Sequence, residues 1–291
     1  MTAPVVAAGY DPDFLGVRAP VPRPSQQTTE LPYLHFTVLL DPVRRLAATT
    51  AVNIDGADLR DLDRVDAWHL DPRVPADQQT GEEVYAHNDL DRGHLVRRRD
   101  PVWGPPEVAQ SANEQTFVYT NAAPQASVFN QSKLLWAGLE DYVLDHARTY
   151  RQRLCVFTGP VLAADDPPYR GVQIPRRFYK IAAWATTEAG STDVSLAATG
   201  YVLDQTPELP DVEAATARAL LAGEPPPLGP YRTYQVPIAD IATLTGLDLG
   251  PLVAADRLPA PVPLPAGALV PATAAAVGRW RRLDSASDIQ L

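Results

Sequence analysis

Asp91-Arg92-Gly93-His94-Leu95, with Arg97-Arg98-Arg99 two residues further on, is the stretch whose residue types best suit chemistry on a phosphate. Histidine titrates nearest neutrality, so a neutral imidazole can take a proton from water at pH 7. Asp91 is placed in sequence to orient that ring, and Gly93 removes a side chain where a bulky substrate would approach. Arg92 and the arginines at 97–99 supply a local positive field in a chain whose formal net charge is −10. The same residues also describe a turn glycine, a half-buried histidine and a solvated arginine run, and bare chemistry does not separate the two readings.

A second stretch runs Asn121-Ala122-Ala123-Pro124-Gln125, then Phe129-Asn130-Gln131, then Trp136 and Glu140. An asparagine side-chain oxygen is a neutral, hard ligand that suits Mg²⁺, an ion that keeps most of its waters. Asn130 also stands where a long helix should begin, a position at which asparagine serves equally as an N-cap.

These residues need a scaffold, and the hydrophobic periodicity supplies one. Leu135, Leu139, Tyr142, Val143, His146, Ala147 and Tyr150 recur at steps of three and four, which predicts a helix starting near Asn130 or Ser132. Strands are expected at 31–41 and 48–54, joined by a turn at 42–45, and at 116–120, 154–158, 178–185 and 194–203. Further helices are expected at 211–222 and 238–245, the second ending at Gly246. Residues 55–91 are polar and turn-rich, which predicts a long surface excursion, and 251–273 are Pro/Ala-rich and irregular. With no βαβ rhythm, the class is α+β.

Composition narrows the setting. Thirty prolines in 291 residues exclude a helical bundle. The single cysteine, Cys155, excludes an internal disulfide framework and a cysteine-rich zinc module. No apolar run approaches the ~18 residues of a membrane span, and the amino terminus lacks the pattern of a secretory signal. The expectation is a protein off the membrane, either cytoplasmic or exported by a specialised route. Residues 1–30 read as an irregular arm, 31–291 as one domain, and 251–291 as its Pro/Ala-rich extension.

Taken in order, the segments resemble the DNA/RNA non-specific endonuclease family. The match runs from Asp91-Arg92-Gly93-His94 through N-x-x-P-Q at 121–125 to F-N-x at 129–131 and W-x-x-L-E at 136–140. It continues with Thr158-Gly159-Pro160-Val161, with Phe178-Tyr179-Lys180 after Pro175, and with Val236-Pro237-Ile238 leading to Thr245-Gly246-Leu247-Asp248. It covers about residues 30–250.

The resemblance implies an α+β fold with a central antiparallel or mixed sheet, a ββα-metal finger and flanking helices. It implies Mg²⁺-dependent hydrolysis of DNA and RNA phosphodiesters with little base specificity, with Mn²⁺ as a substitute ion. His94 resembles the general base, Asn130 the direct metal ligand, and Glu140 the carboxylate that holds metal-bound water. Asn121 resembles the residue that holds the histidine network. Arg64, in a pattern with Trp68 and Asp71, resembles the arginine that stabilises charge on the phosphate, and Arg92 joins it. Arg97, Arg98, Arg99 and Gln125 are supporting substrate contacts. A homodimer and an inhibitor or activator protein are partners this reading accommodates.

One departure stands out. Trp136 lies six residues after Asn130, where the family usually has four, so two residues are inserted among 131–135. If the insertion rotated the helix, Asn130 and Glu140 would not face one ion, because each residue turns a helix by about 100°. The alternative function is then a catalytically impaired nucleic-acid-binding or scaffold protein on the same fold.

Overall fold

The computed structural model describes residues 9–126, 136–187, 190, 192–205, 232–258 and 280–283. Asn130, the insertion at 131–135, the expected helix at 211–222 and most of the Pro/Ala-rich extension lie outside the described residues. No helix among the described residues is long and apolar enough to cross a membrane.

Eight strands form one sheet: β1 (Thr29–Tyr33), β2 (Phe36–Asp41), β3 (Leu46–Asp55), β6 (Arg153–Val161), β9 (Arg177–Thr187), β10 (Val194–Asp204), β11 (Arg232–Val236) and β12 (Arg281–Leu283). They lie in that order, and every pairing is antiparallel. All six residues of β2 and nine of the ten in β3 are buried, so these strands are covered on both faces.

On one face Phe36, Val38, Val52, Val156, Phe178 and Tyr201 pack against Leu139, Val143, Leu144 and Ala147. Those four belong to α3 (Trp136–Tyr150); Leu139, Val143 and Ala147 are from the apolar stripe that the sequence displayed, Leu144 joins them, and Tyr150 at the stripe's end is exposed. The helix ends against β3 so closely that a β-carbon at Gly56 would come 2.0 Å from the Ala147 carbonyl oxygen. On the opposite face Phe157, Tyr179 and Val202 pack against Tyr10, Leu15 and Ala19 of the arm and Ile238 and Ile241 of α4 (Ile238–Thr245). Gly246 closes α4 at φ 67°, the left-handed cap its position predicts.

Two smaller pairs stand apart from the sheet. The strands β4 (Leu90–His94) and β5 (Ala122–Ala126) pair antiparallel, as do β7 (Pro168–Tyr169) and β8 (Val172–Gln173). Two more helices complete the described part: α1 (Glu82–Tyr85) and α2 (Pro106–Gln115).

Three expectations need correction. The segment 31–41 is two strands, because the chain reverses at Leu34-His35, with His35 at φ 66° and Tyr33 paired to Phe36. Residues 116–120 are not a strand: Val118 makes an isolated bridge to His69, and Tyr119–Asn121 is a 3₁₀ turn leading into β5. The excursion at 55–91 is not all surface. Asp71, Val74, Gln79, Val84 and Tyr85 are buried, and the Gln79 amide binds the Asp71 N–H and the Asp71 and Val74 carbonyls.

Candidate active site

The β4–β5 pair is the platform. Its register sets Asp91 opposite Gln125, Arg92 opposite Pro124, Gly93 opposite Ala123 and His94 opposite Ala122. Side chains alternate along a strand, so Arg92 and His94 share one face while Asp91, Gly93 and Gln125 share the other. Asp91 therefore stands on the wrong face to orient the His94 ring.

The His94 ring packs at 4.6 Å against Trp68 and edge-on at 5.1 Å to Phe117. Its Nε2 is closed off from solvent and has no hydrogen-bond partner among the described residues. Burial, reinforced by the nearby Arg64 and Arg98, pushes the imidazole down to about 3. The shift keeps the ring uncharged at neutral pH, able to accept one proton.

Asp66 brings the neighbours in. Its Oδ1 accepts from Arg64 at 3.0 Å and from Trp68 Nε1 at 3.1 Å, and the Arg64 guanidinium lies 5.5 Å from the Phe117 ring centre. This is the residue the sequence reading missed. Asp71, the third residue of the sequence pattern with Arg64 and Trp68, is buried and accepts from Arg73 and from the Tyr33 hydroxyl. The signal for Asp66 was its place midway between Arg64 and Trp68.

Arg92 lies 5.8 Å from the Trp68 ring centre and donates to Glu82 Oε2 at 2.6 Å. The Tyr119 hydroxyl donates to that same oxygen at 2.5 Å. These residues, with Asp66 and Trp68, line an open cavity of about 600 Å³.

Asn121 is fully buried, and its amide is spent on backbone: Oδ1 accepts from Val96 N at 2.9 Å, while Nδ2 donates to the Val96 and Thr116 carbonyls at 3.0 Å each. Its own carbonyl accepts from Leu95 N at 2.9 Å. Asn121 thus fixes the two residues that follow His94.

Gln125 is also fully buried, with neither amide atom bonded among the described residues. It lies against Gly93, where a β-carbon would come 2.1 Å from its Cδ. The bare glycine makes room for Gln125, not for a substrate.

The arginine run turns inward. Arg97 pairs with Asp141 and sits 3.7 Å from Glu140; Arg98 donates to the Leu62 carbonyl at 2.7 Å; Arg99 pairs with Asp61 at 2.7 Å. Glu140 is 11% exposed and accepts from Lys180 at 3.2 Å. Burial pushes nearby Asp100 up to about 6, against the pull of Lys180 and Arg97. Among the described residues no three His, Cys, Asp or Glu side chains converge as a metal cage, and the expected ligand Asn130 lies outside them.

Comparisons with known proteins now bear on this arrangement. The family described as DNA/RNA non-specific endonuclease matches residues 18–256. A Sinorhizobium fredii protein named "Uncharacterized protein y4fB" is 39% identical over 267 residues, covering 82% of this chain and 38% of its own length. Mitochondrial endonuclease G is 29% identical in both cattle and human. The cattle match covers 62% of this chain and 54% of the relative, and the human match 65% and 55%. The chain thus spans well under two thirds of each relative. A solved structure, the EndoG/EndoGI complex, has the same fold with a TM-score of 0.54 at 19% identity, covering 75% of this chain and 84% of that one. With the family match extending over most of its length, this chain belongs to the DNA/RNA non-specific endonuclease family.

Proposed function

We propose that the chain is a Mg²⁺-dependent endonuclease that hydrolyses DNA and RNA phosphodiesters with little base preference, with His94 as general base. The observation that carries this reading is a cluster: the His94 imidazole packed on Trp68, with Trp68 and the exposed Arg64 both tied to Asp66.

Chemistry follows from these positions. Water attacks phosphorus in line with the leaving 3′-oxygen. Its proton passes to the His94 imidazole, once substrate and water reach the ring, and the 3′-oxygen takes a proton from solvent as the P–O3′ bond breaks. Arg64 faces the charge that builds on the non-bridging oxygens. Its bond to Asp66 is exposed on both sides, so a phosphate can displace it at little cost. Trp68 keeps the imidazole from turning, and Asn121 holds the backbone behind it. Contacts of this kind address the phosphate and carry no sequence information.

Metal dependence comes with the family. An unbonded imidazole nitrogen next to the site fits a hydrated ion held by few protein ligands, as Mg²⁺ tolerates. Asn130 would hold it, and Glu140 would lie beside its water. When bound, the ion neutralises charge on the phosphate. An inhibitor protein is a partner this reading accommodates, since the similar solved structure is described as a complex in which EndoG is inhibited.

The deciding experiment is nicking of supercoiled plasmid and cleavage of RNA, with Mg²⁺ against EDTA, wild type beside His94→Ala. The expected result is Mg²⁺-dependent cleavage of both substrates that falls by at least ~10²-fold in the variant, the scale of a general base. Binding without cleavage would favour the impaired scaffold; wild-type rates in His94→Ala would remove the base.

A further inference from the structure

Phe178-Tyr179-Lys180 belongs to the sequence pattern that pointed to the family, yet nothing so far gives Lys180 a task. It is one of two lysines in the chain, and its side chain is 2% exposed. Register on β9 sets it between Thr158 of β6 and Tyr201 of β10, neither of which carries charge at neutral pH. Phe178, two residues earlier on the same strand face, packs in the cluster that α3 covers. An ammonium in such a place is costly unless paired.

The pair is Glu140. Lys180 Nζ donates to Oε1 at 3.2 Å, whereas Oε2 faces Arg97 Nε at 3.7 Å, too far for a hydrogen bond. One carboxylate oxygen is thus held firmly from the sheet side. The other lies toward Arg97, three residues beyond His94. A buried ion pair adds little stability over apolar residues of equal volume, so stability is a poor reason for its presence. Geometry is a better one. β9 lies inside the sheet between two paired strands, and α3 is packed across that sheet, so the pair fixes a helix side chain to a rigid frame.

We propose that Lys180 is a positioning residue for phosphodiester cleavage: from the sheet it orients the Glu140 carboxylate, leaving Oε2 toward the β4 side of the site. The inference rests on the nuclease reading, in which Glu140 takes part. It separates Lys180 from Arg64 and Arg92, because Lys180 is too deeply buried to meet a phosphate itself.

The test is steady-state plasmid cleavage by the full chain as wild type, Lys180→Met, Lys180→Arg, Glu140→Gln and the Lys180→Met/Glu140→Gln double variant. Lys180→Met should lower kcat by about 10–100-fold, the usual range for residues that orient a metal site's partners, with KM within about 2-fold. Lys180→Arg should recover most of the loss. The double variant should be no slower than Glu140→Gln alone, since Lys180 acts through Glu140. Urea unfolding of each variant accompanies the kinetics, so a loss of rate is read only on chains that are folded. Lys180→Arg, which keeps the charge, serves as the test if Lys180→Met does not fold: a kcat change no larger in Lys180→Arg/Glu140→Gln than in Glu140→Gln is expected. Losses that multiply in the double variant would overturn the proposal, as would a wild-type rate in Lys180→Met. A wild-type chain inert on DNA and RNA would instead overturn the nuclease reading and this inference with it.

Discussion

The Gln125 side chain lies against Gly93 so tightly that a β-carbon on residue 93 would sit 2.1 Å from Gln125 Cδ and 2.2 Å from Oε1. Residue 93 precedes His94 on the same strand, and Gln125 is on the strand paired with it. The glycine of the Asp-Arg-Gly-His segment is therefore fixed by packing between β4 and β5.

Gly93→Ala should accordingly cost about 1–3 kcal/mol, the range for forcing a methyl into a filled interior. It should also lower activity, because relief requires the strand that carries His94 to shift. Adding Gln125→Ala opens the space, so the double variant should regain stability over Gly93→Ala alone. Urea unfolding of the four chains reads this directly; additive losses would show that the two residues do not press on one another.

How far such relationships were legible in the sequence differs by kind. β6, β9 and β10 were readable because runs such as Leu154-Cys155-Val156-Phe157 are short, apolar and hold a β-branched and an aromatic residue, and α4 because Gly246 marks its end. α2 was not readable: its buried residues are Ala109, Ala112 and Asn113, too small and polar to make a stripe. The reversal at Leu34-His35 has neither glycine nor asparagine, the residues that usually announce a tight hairpin. At the site, residue types pointed to His94 and the family resemblance to Arg64, but the partners of the arginines come from distant chain. Asp141 lies 44 positions from Arg97 and Asp61 lies 38 from Arg99, so no local pattern could pair them.

Asn121 offers a second check. Its amide makes three bonds to the backbone of Val96 and Thr116, all buried. Asn121→Ala would leave one N–H and two carbonyls without partners, at about 1–3 kcal/mol for each group left unsatisfied. We expect a loss of at least about 2 kcal/mol in urea unfolding, with reduced kcat among the molecules that remain folded. Asn121→Asp should be little better, since a carboxylate can accept from Val96 N but cannot donate to the two carbonyls. If Asn121→Ala were as stable as wild type, the histidine's backbone support would lie elsewhere.

Stability should depend on pH through His94 and Asp100 in opposite senses. Burial lowers His94 from its ordinary 6.5 to about 3, so between those values the unfolded chain binds the proton. That contribution is complete above pH 6.5 and is lost as pH falls toward 3, with a slope of up to about 1.4 kcal/mol per pH unit. Burial raises Asp100 from 3.8 to about 6, so its contribution is complete below 3.8 and is lost as pH rises through 6. The two slopes oppose each other between about 4 and 6. Asp100→Asn should expose the histidine slope, making the chain steadily less stable from pH 6.5 down to 4.5. His35 and His146 are lowered and Asp166 and Asp256 raised as well. Urea midpoints across that range are therefore compared in Asp100→Asn with and without His94→Ala; identical slopes in the two would show that His94 is not held neutral by the fold.

The last prediction concerns Arg92, whose guanidinium is already engaged in the free protein. Glu82 Oε2 accepts from it at 2.6 Å and from the Tyr119 hydroxyl at 2.5 Å. If Arg92 binds a substrate phosphate, that phosphate must displace Glu82, and the carboxylate also repels it. Glu82 is 56% exposed and Arg92 34%, so the pair is worth only about 0.2–1 kcal/mol. Glu82→Gln should therefore lower KM for DNA by about 2–5-fold at low salt, the factor that such an energy represents. Little change in kcat is expected, because the removed contact is broken before chemistry begins. Raising the salt should shrink the gain, since exposed charges are screened over about 10 Å at 0.1 M. Arg92→Gln should move KM the other way. A Glu82→Gln chain with unchanged or raised KM would show that Arg92 stays with α1 during catalysis and serves to brace Trp68 against His94.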